Sequence, residues 1–93
     1  MTPSETNTIG IITQALKHAK SSKHQRWPDD PIHAAGVLVE EAGELMQACL
    51  DFCYDDNEHY IHVTHMIEAA AQVGAMAIRF LENIETYQRI RRD

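Results

Sequence analysis

The sequence predicts an all-α domain, a bundle of three to four helices completed by oligomerisation. Three observations carry that expectation. Apolar residues recur with the 3.6-residue period of amphipathic helices over most of the chain. No stretch alternates with the two-residue period of a strand, and no repeat or low-complexity tract breaks the pattern. At 93 residues, residues 1–93 form one domain that buries little surface by itself, so a homodimer or homotetramer is expected.

The first helix is expected over Thr8 to Lys20, where Ile9, Ile12, Ala15, Leu16 and Ala19 form one stripe and Asn7 or Thr8 supplies the N-cap. SSKHQRWPDDP is polar and carries prolines, so it reads as a connection. Asp29 or Asp30 ahead of Pro31 then starts a second helix reaching about Phe52, with proline in its first turn. YDDNEH provides the next turn. From Glu58 to about Ile90 the pattern is helical again, as one long helix or as two with a bend near Asn83 to Glu85.

Charge is distributed unevenly. The net charge of -6 argues against a nucleic-acid partner. Between Trp27 and Ile78 there is no Lys or Arg, while ten carboxylates fall there; all eight basic residues lie outside. No apolar run approaches the roughly 20 residues that span a bilayer, and MTPSETNTIG lacks a basic stretch leading into an apolar core, so the chain reads as cytoplasmic with no membrane partner. Cys49 and Cys53, four apart on a helical pattern, read as small apolar residues.

Three glutamates sit inside the apolar run VLVEEAGELMQACL. On a helix, Glu40, Glu41 and Glu44 share an arc of about 100°, with His33 and Asp51 on the same face. The opposite arc holds Leu38, Val39, Ala42, Leu45, Met46, Cys49, Leu50 and Cys53. By amphipathicity alone the glutamates are a solvated face. Two features argue otherwise: like charges at these spacings repel, and the Lys or Arg that usually intersperse such a face are missing. The third helix offers a matching stripe of His62, His65, Glu68, Gln72 and Arg79. If the two stripes meet, the oxygens and imidazoles between them suit a hard divalent ion such as Mg²⁺.

EEAGEL, followed about a helix later by EAAAQVGAMAIRFL, resembles the MazG-like all-α nucleoside triphosphate pyrophosphohydrolases. The resemblance covers a motif-bearing core of residues 27–81. In that family a Glu-x-x-Glu on one helix and a Glu-x-x-Asp on the next bind Mg²⁺. It implies Glu41 and Glu44 as the first pair, preceded by Glu40, with Glu41 as base or metal ligand. The second motif departs, having Ala69 for the glutamate and Gln72 for the aspartate. His65 and Glu68, one turn before Ala69 and Gln72, could reach toward the vacated positions and are expected with Gln72 as the ligands from this helix. The implied reaction is Mg²⁺-dependent hydrolysis of a nucleoside triphosphate, canonical or modified, to the monophosphate and pyrophosphate. The competing expectation is a non-catalytic helical oligomer of the same type that binds a nucleotide, a metal or a protein partner.

Ahead of the first motif, Trp27 offers a face for a base, with Lys23 and Arg26 in reach of phosphates; a lone Trp in a small bundle also serves as a packing anchor. Arg79, seven residues after Gln72, is a further phosphate contact or an intersubunit ion-pair partner. His59, His62 and His65 step by three and so spread over a stripe about 120° wide, which is poor metal-ligand stacking.

Overall fold

The computed structural model describes residues 3–21, 26–55 and 59–90, and among these the chain is all-helical with no strand. Helix α1 spans Glu5–Ser21. It begins a turn before Thr8 because Ser4 is the cap: its hydroxyl accepts the Asn7 N–H at 3.2 Å. Thr8 instead lies inside the helix, its hydroxyl donating back to the Ser4 carbonyl at 2.8 Å.

Helix α2 spans Pro31–Tyr54. Asp30 is its cap, in extended backbone, and accepts the His33 N–H at 2.9 Å while also pairing with the His33 ring. That bonding holds the Asp30 carboxyl below the usual carboxylate range. The helix ends at Asp55, whose N–H still reaches the Asp51 carbonyl at 2.9 Å.

Helix α3 spans His59–Glu82. The bend anticipated near Asn83 is present, but beyond it the chain forms a turn over residues 83–86 and an extended tail, not more helix. Asn83 is the reason. Its side-chain amide donates to the Arg79 carbonyl at 2.8 Å, and its own carbonyl accepts from Thr86, so the last turn closes on itself. The tail folds back onto the connection before α2, where the Gln88 N–H donates to the Asp29 carbonyl at 2.9 Å.

Helix α3 is central: among the described residues, α1 and α2 each pack on it and not on one another. Gly74 permits the α1 contact, because a Cβ there would lie 3.1–3.3 Å from three side-chain atoms of Ile12. The core is thin, made of Ala34, Ala48, Ala71, Ala75 and Met76, and no large side chain among the described residues is fully buried. Against α3, α2 therefore sets the face bearing Ala34, Glu41 and Ala48, which recur at seven-residue spacing. Its broad apolar arc is consequently left outside, with Ile32 68%, Val39 71% and Met46 62% exposed. Among the described residues, no helix is long and apolar enough to cross a membrane.

Candidate functional site

The glutamate edge of α2 lies along the seam with α3, so the two polar stripes meet. One open groove of about 560 Å³ is lined by Glu41 and Glu44 of α2, Gln72 and Arg79 of α3, and Trp27 and Arg26 of the connection. Its volume falls in the range of small-molecule sites. A second, of about 400 Å³, continues along the seam and is lined by Glu44, Gln47, Asp51, His65, Glu68 and Gln72. Glu44 and Gln72 belong to both, so the two grooves form one channel. An apolar hollow between α1 and α3, around Ile11, Ile12 and Ile67, is smaller at about 170 Å³, and its lining carries no charged group.

Glu41 is the electrostatic centre of the channel. Partial burial raises its pKa above the ordinary 4.5, and the charge of Glu44, a hydrogen bond with Glu44, and the charge of Glu40 raise it further. A carboxylate in this state favours any countercharge that enters, whether proton or metal ion. Glu40 itself is exposed and outside the groove lining. Farther along α2, Gln47 donates to Asp51 at 2.9 Å, which orients a carboxylate towards the end of the channel where His65 and Glu68 sit.

The opposite end is cationic and well anchored. Arg79 is only 6% exposed, and its guanidinium lies 4.8 Å from the Trp27 ring centroid. The Trp27 indole N–H donates to the Tyr87 hydroxyl at 2.7 Å, and that hydroxyl donates to the Phe80 carbonyl at 3.0 Å. The Phe80 and Tyr87 rings also touch, tilted to one another with centroids 5.0 Å apart. Trp27 is thus both a packing anchor and a wall of the groove. Arg26 is exposed at the rim, 4.0 Å from Asp29. Lys23 lies outside the described residues.

The channel therefore collects Glu41, Glu44, His65, Glu68, Gln72, Trp27, Arg26 and Arg79, and leaves Glu40 beside it. His62 is elsewhere: it is buried at the N-terminal end of α3, with Nε2 3.2 Å from an Asp55 carboxylate oxygen. His18, Asp51 and Tyr87 are additions that the sequence does not single out as site residues. Asp51 shares the glutamate face and is legible by spacing, whereas Tyr87 lies beyond the turn and carries no periodic signal. Among the described residues, no three His, Cys, Asp or Glu side chains converge to hold a metal ion by themselves.

No family model, curated protein or solved structure matches the chain.

Proposed function

We propose that the protein is a cytoplasmic, Mg²⁺-dependent nucleoside triphosphate pyrophosphohydrolase of the MazG-like kind, with the α2–α3 channel as its active site. The observation that carries this reading is the pair Glu41 and Glu44 lining one groove, where partial burial and then the neighbouring Glu44 raise the proton affinity of Glu41, beside a wall formed by Trp27 and Arg79.

The donor set fits magnesium bound together with a nucleotide. Mg²⁺ is commonly held by one or two carboxylates plus substrate phosphates and water, with no closed protein cage. Glu41 and Glu44 would be such a pair, and Glu68, His65 and Gln72, which line the same channel, would be its further donors. When bound there, the ion would neutralise phosphate charge and polarise the phosphorus under attack. Glu41 serves either as a ligand of the ion or, with its raised proton affinity, as the base that takes the proton of the attacking water. Arg79 supplies the positive charge for the departing pyrophosphate, and Trp27, pinned by Tyr87, offers a flat apolar wall for the base.

One feature favours the rival reading of a non-catalytic nucleotide-binding oligomer: α3 carries Ala69 and Gln72 where the family-like motif has two carboxylates. Turnover separates the two. Pyrophosphate release is measured on a panel of canonical and modified deoxynucleoside triphosphates with Mg²⁺, with Glu41→Gln and Glu44→Gln as controls. The hydrolase reading expects release of pyrophosphate that both substitutions abolish. Absence of turnover with every nucleotide, together with a melting temperature unmoved by Mg²⁺ and nucleotide, defeats it.

A further inference from the structure

We infer that the turn and tail after α3 form a strap that presets the groove, and that Tyr87 is the positioning residue through which the strap acts. The inference rests on the nucleotide reading above and adds to it a residue outside the groove. Trp27 and Arg79 line the groove, whereas Tyr87 stands behind Trp27 and is not part of the lining.

The tail is turned inward at one place only. From residue 84 to residue 90 every side chain is exposed except that of Tyr87. Ile84 is 55% and Ile90 52% exposed, so the segment does not cover apolar surface as a purely stabilising tail would. Its ties are polar and directed. The Tyr87 hydroxyl accepts the Trp27 indole N–H at 2.7 Å and donates to the Phe80 carbonyl at 3.0 Å, which aims its proton at α3 and a lone pair at Trp27. Beside it, the Gln88 N–H donates to the Asp29 carbonyl at 2.9 Å, two residues past Trp27. Helix α3 is the rigid end of the strap, and the irregular connection that carries Trp27 is the part it holds.

The plane of the indole is what the strap fixes. The Arg79 guanidinium lies over the ring, 4.8 Å from its centroid, and a contact with one face alone lets the ring slide and turn. The directional bond at the N–H edge removes that freedom. A base stacks on an aromatic ring only when the two planes align, so a ring already held binds a base better than one that must be ordered by it. Phosphates carry no such requirement. Their proposed partners are Mg²⁺ with Glu41 and Glu44, and Arg79, which is held by its own burial at 6% exposure. Tyr87 therefore acts on the base end of the ligand. By reciprocity, a base stacked on the held indole steadies the strap in turn.

Trp27 is the one tryptophan of the chain, so its fluorescence reports on this ring alone. Tyr87→Phe keeps the ring on Phe80 and removes the hydroxyl. In the ligand-free protein, with helical circular dichroism unchanged, the variant is expected to show faster indole anisotropy decay and stronger acrylamide quenching than the wild type. Calorimetry with Mg²⁺ then compares an α,β-imido deoxynucleoside triphosphate with inorganic triphosphate. Tyr87→Phe is expected to weaken the nucleotide about fivefold, less than full loss of stacking would, and to leave triphosphate within about twofold. In a Trp27→Phe background, where no indole N–H remains to be held, the same substitution is expected to move neither, a cancellation that a general loss of stability does not produce. In the wild type, the Gln88 amide is expected to exchange its hydrogen several times more slowly with nucleotide bound than with triphosphate bound; if Tyr87→Phe loses its helical signal, this measurement decides alone.

An indole no more mobile in Tyr87→Phe overturns the strap. A loosened indole with nucleotide and triphosphate affected alike, with neither affected, or with the nucleotide loss persisting in the Trp27→Phe background, overturns the positioning role, as does Gln88 exchange indifferent to nucleotide. A wild type that binds no nucleotide defeats the parent reading and the positioning role with it. The indole measurement needs no ligand, so failure of the strap and failure of the nucleotide reading are told apart.

Discussion

Replacing Glu41 by Gln removes one charge from the channel and keeps the shape of the side chain. Gln and Glu have nearly equal helix propensity, so the change isolates electrostatics. The pKa of Glu41 is raised in the folded chain, so the native state binds its proton more tightly than the unfolded state does. The folded state is therefore penalised as pH rises through that raised pKa, and unpenalised below the ordinary value of 4.5. A like-charge pair one turn apart costs about 0.2–0.5 kcal/mol, and water screening of this half-open groove keeps the relief near about 0.5 kcal/mol. For a domain of this size that is a rise in Tm of about 2–4 °C. Thermal melts followed by circular dichroism should show Glu41→Gln more stable than wild type at pH 7, with the gain gone once the pH lies below 4.5. Equal melting at pH 7, or a gain that persists in acid, would show that the Glu41 charge does not strain the folded state.

Three further outcomes are expected. Gly74→Ala should lower stability in the wild type, where the new methyl meets Ile12, but raise it by about 1 kcal/mol in an Ile12→Ala background, where only the helix-propensity gain remains; urea melts of the four chains give the cycle. Tyr87→Phe removes the acceptor of the Trp27 N–H, while the Phe80 carbonyl keeps the Asn83 N–H, and should cost about 1–3 kcal/mol, with a shifted or broadened Trp fluorescence band reporting the loosened indole. Asp30→Ala should lower the Tm by about 5 °C at neutral pH through loss of the α2 cap. Because the Asp30 pKa is lowered by its bonds to His33, the stability it confers is present at neutral pH and lost as pH falls through its depressed pKa, below 3.8. The difference from wild type should therefore shrink in strong acid.

Much of the fold is legible in the sequence because helix signals are local. Periodicity locates all three helices, and Asp29 or Asp30 ahead of Pro31 marks the start of α2, with the structure choosing Asp30 as the cap. The meeting of two polar stripes is legible too, since Glu44, Glu68 and Gln72 each follow from spacing on their own helices. The facing of α2 is harder to read. Its apolar arc is about half the helix circumference, wider than α3 alone can cover, so amphipathicity does not say which part α3 takes. Close packing decides it: Ala34 and Ala48 let α2 approach Ala71 and Ala75 of α3, and Glu41, between them, is carried into the seam. The end of α3 is hidden for a similar reason. The apolar spacing runs on past Glu82, but the Asn83 side-chain amide joins its own N–H on the Arg79 carbonyl and the chain turns there. The Trp27–Tyr87 clamp pairs residues 60 apart, which no local pattern announces.

We propose above that Glu41 and Glu44 form a site for magnesium and a nucleotide together. Calorimetric titration with a panel of α,β-imido deoxynucleoside triphosphates, with and without Mg²⁺, measures this without turnover. Expected are saturable binding of at least one nucleotide that requires Mg²⁺, weak heat from Mg²⁺ alone, and at least tenfold loss of affinity in Glu41→Gln and in Glu44→Gln. Nucleotide binding that is indifferent to Mg²⁺, or unchanged in both variants, would contradict it.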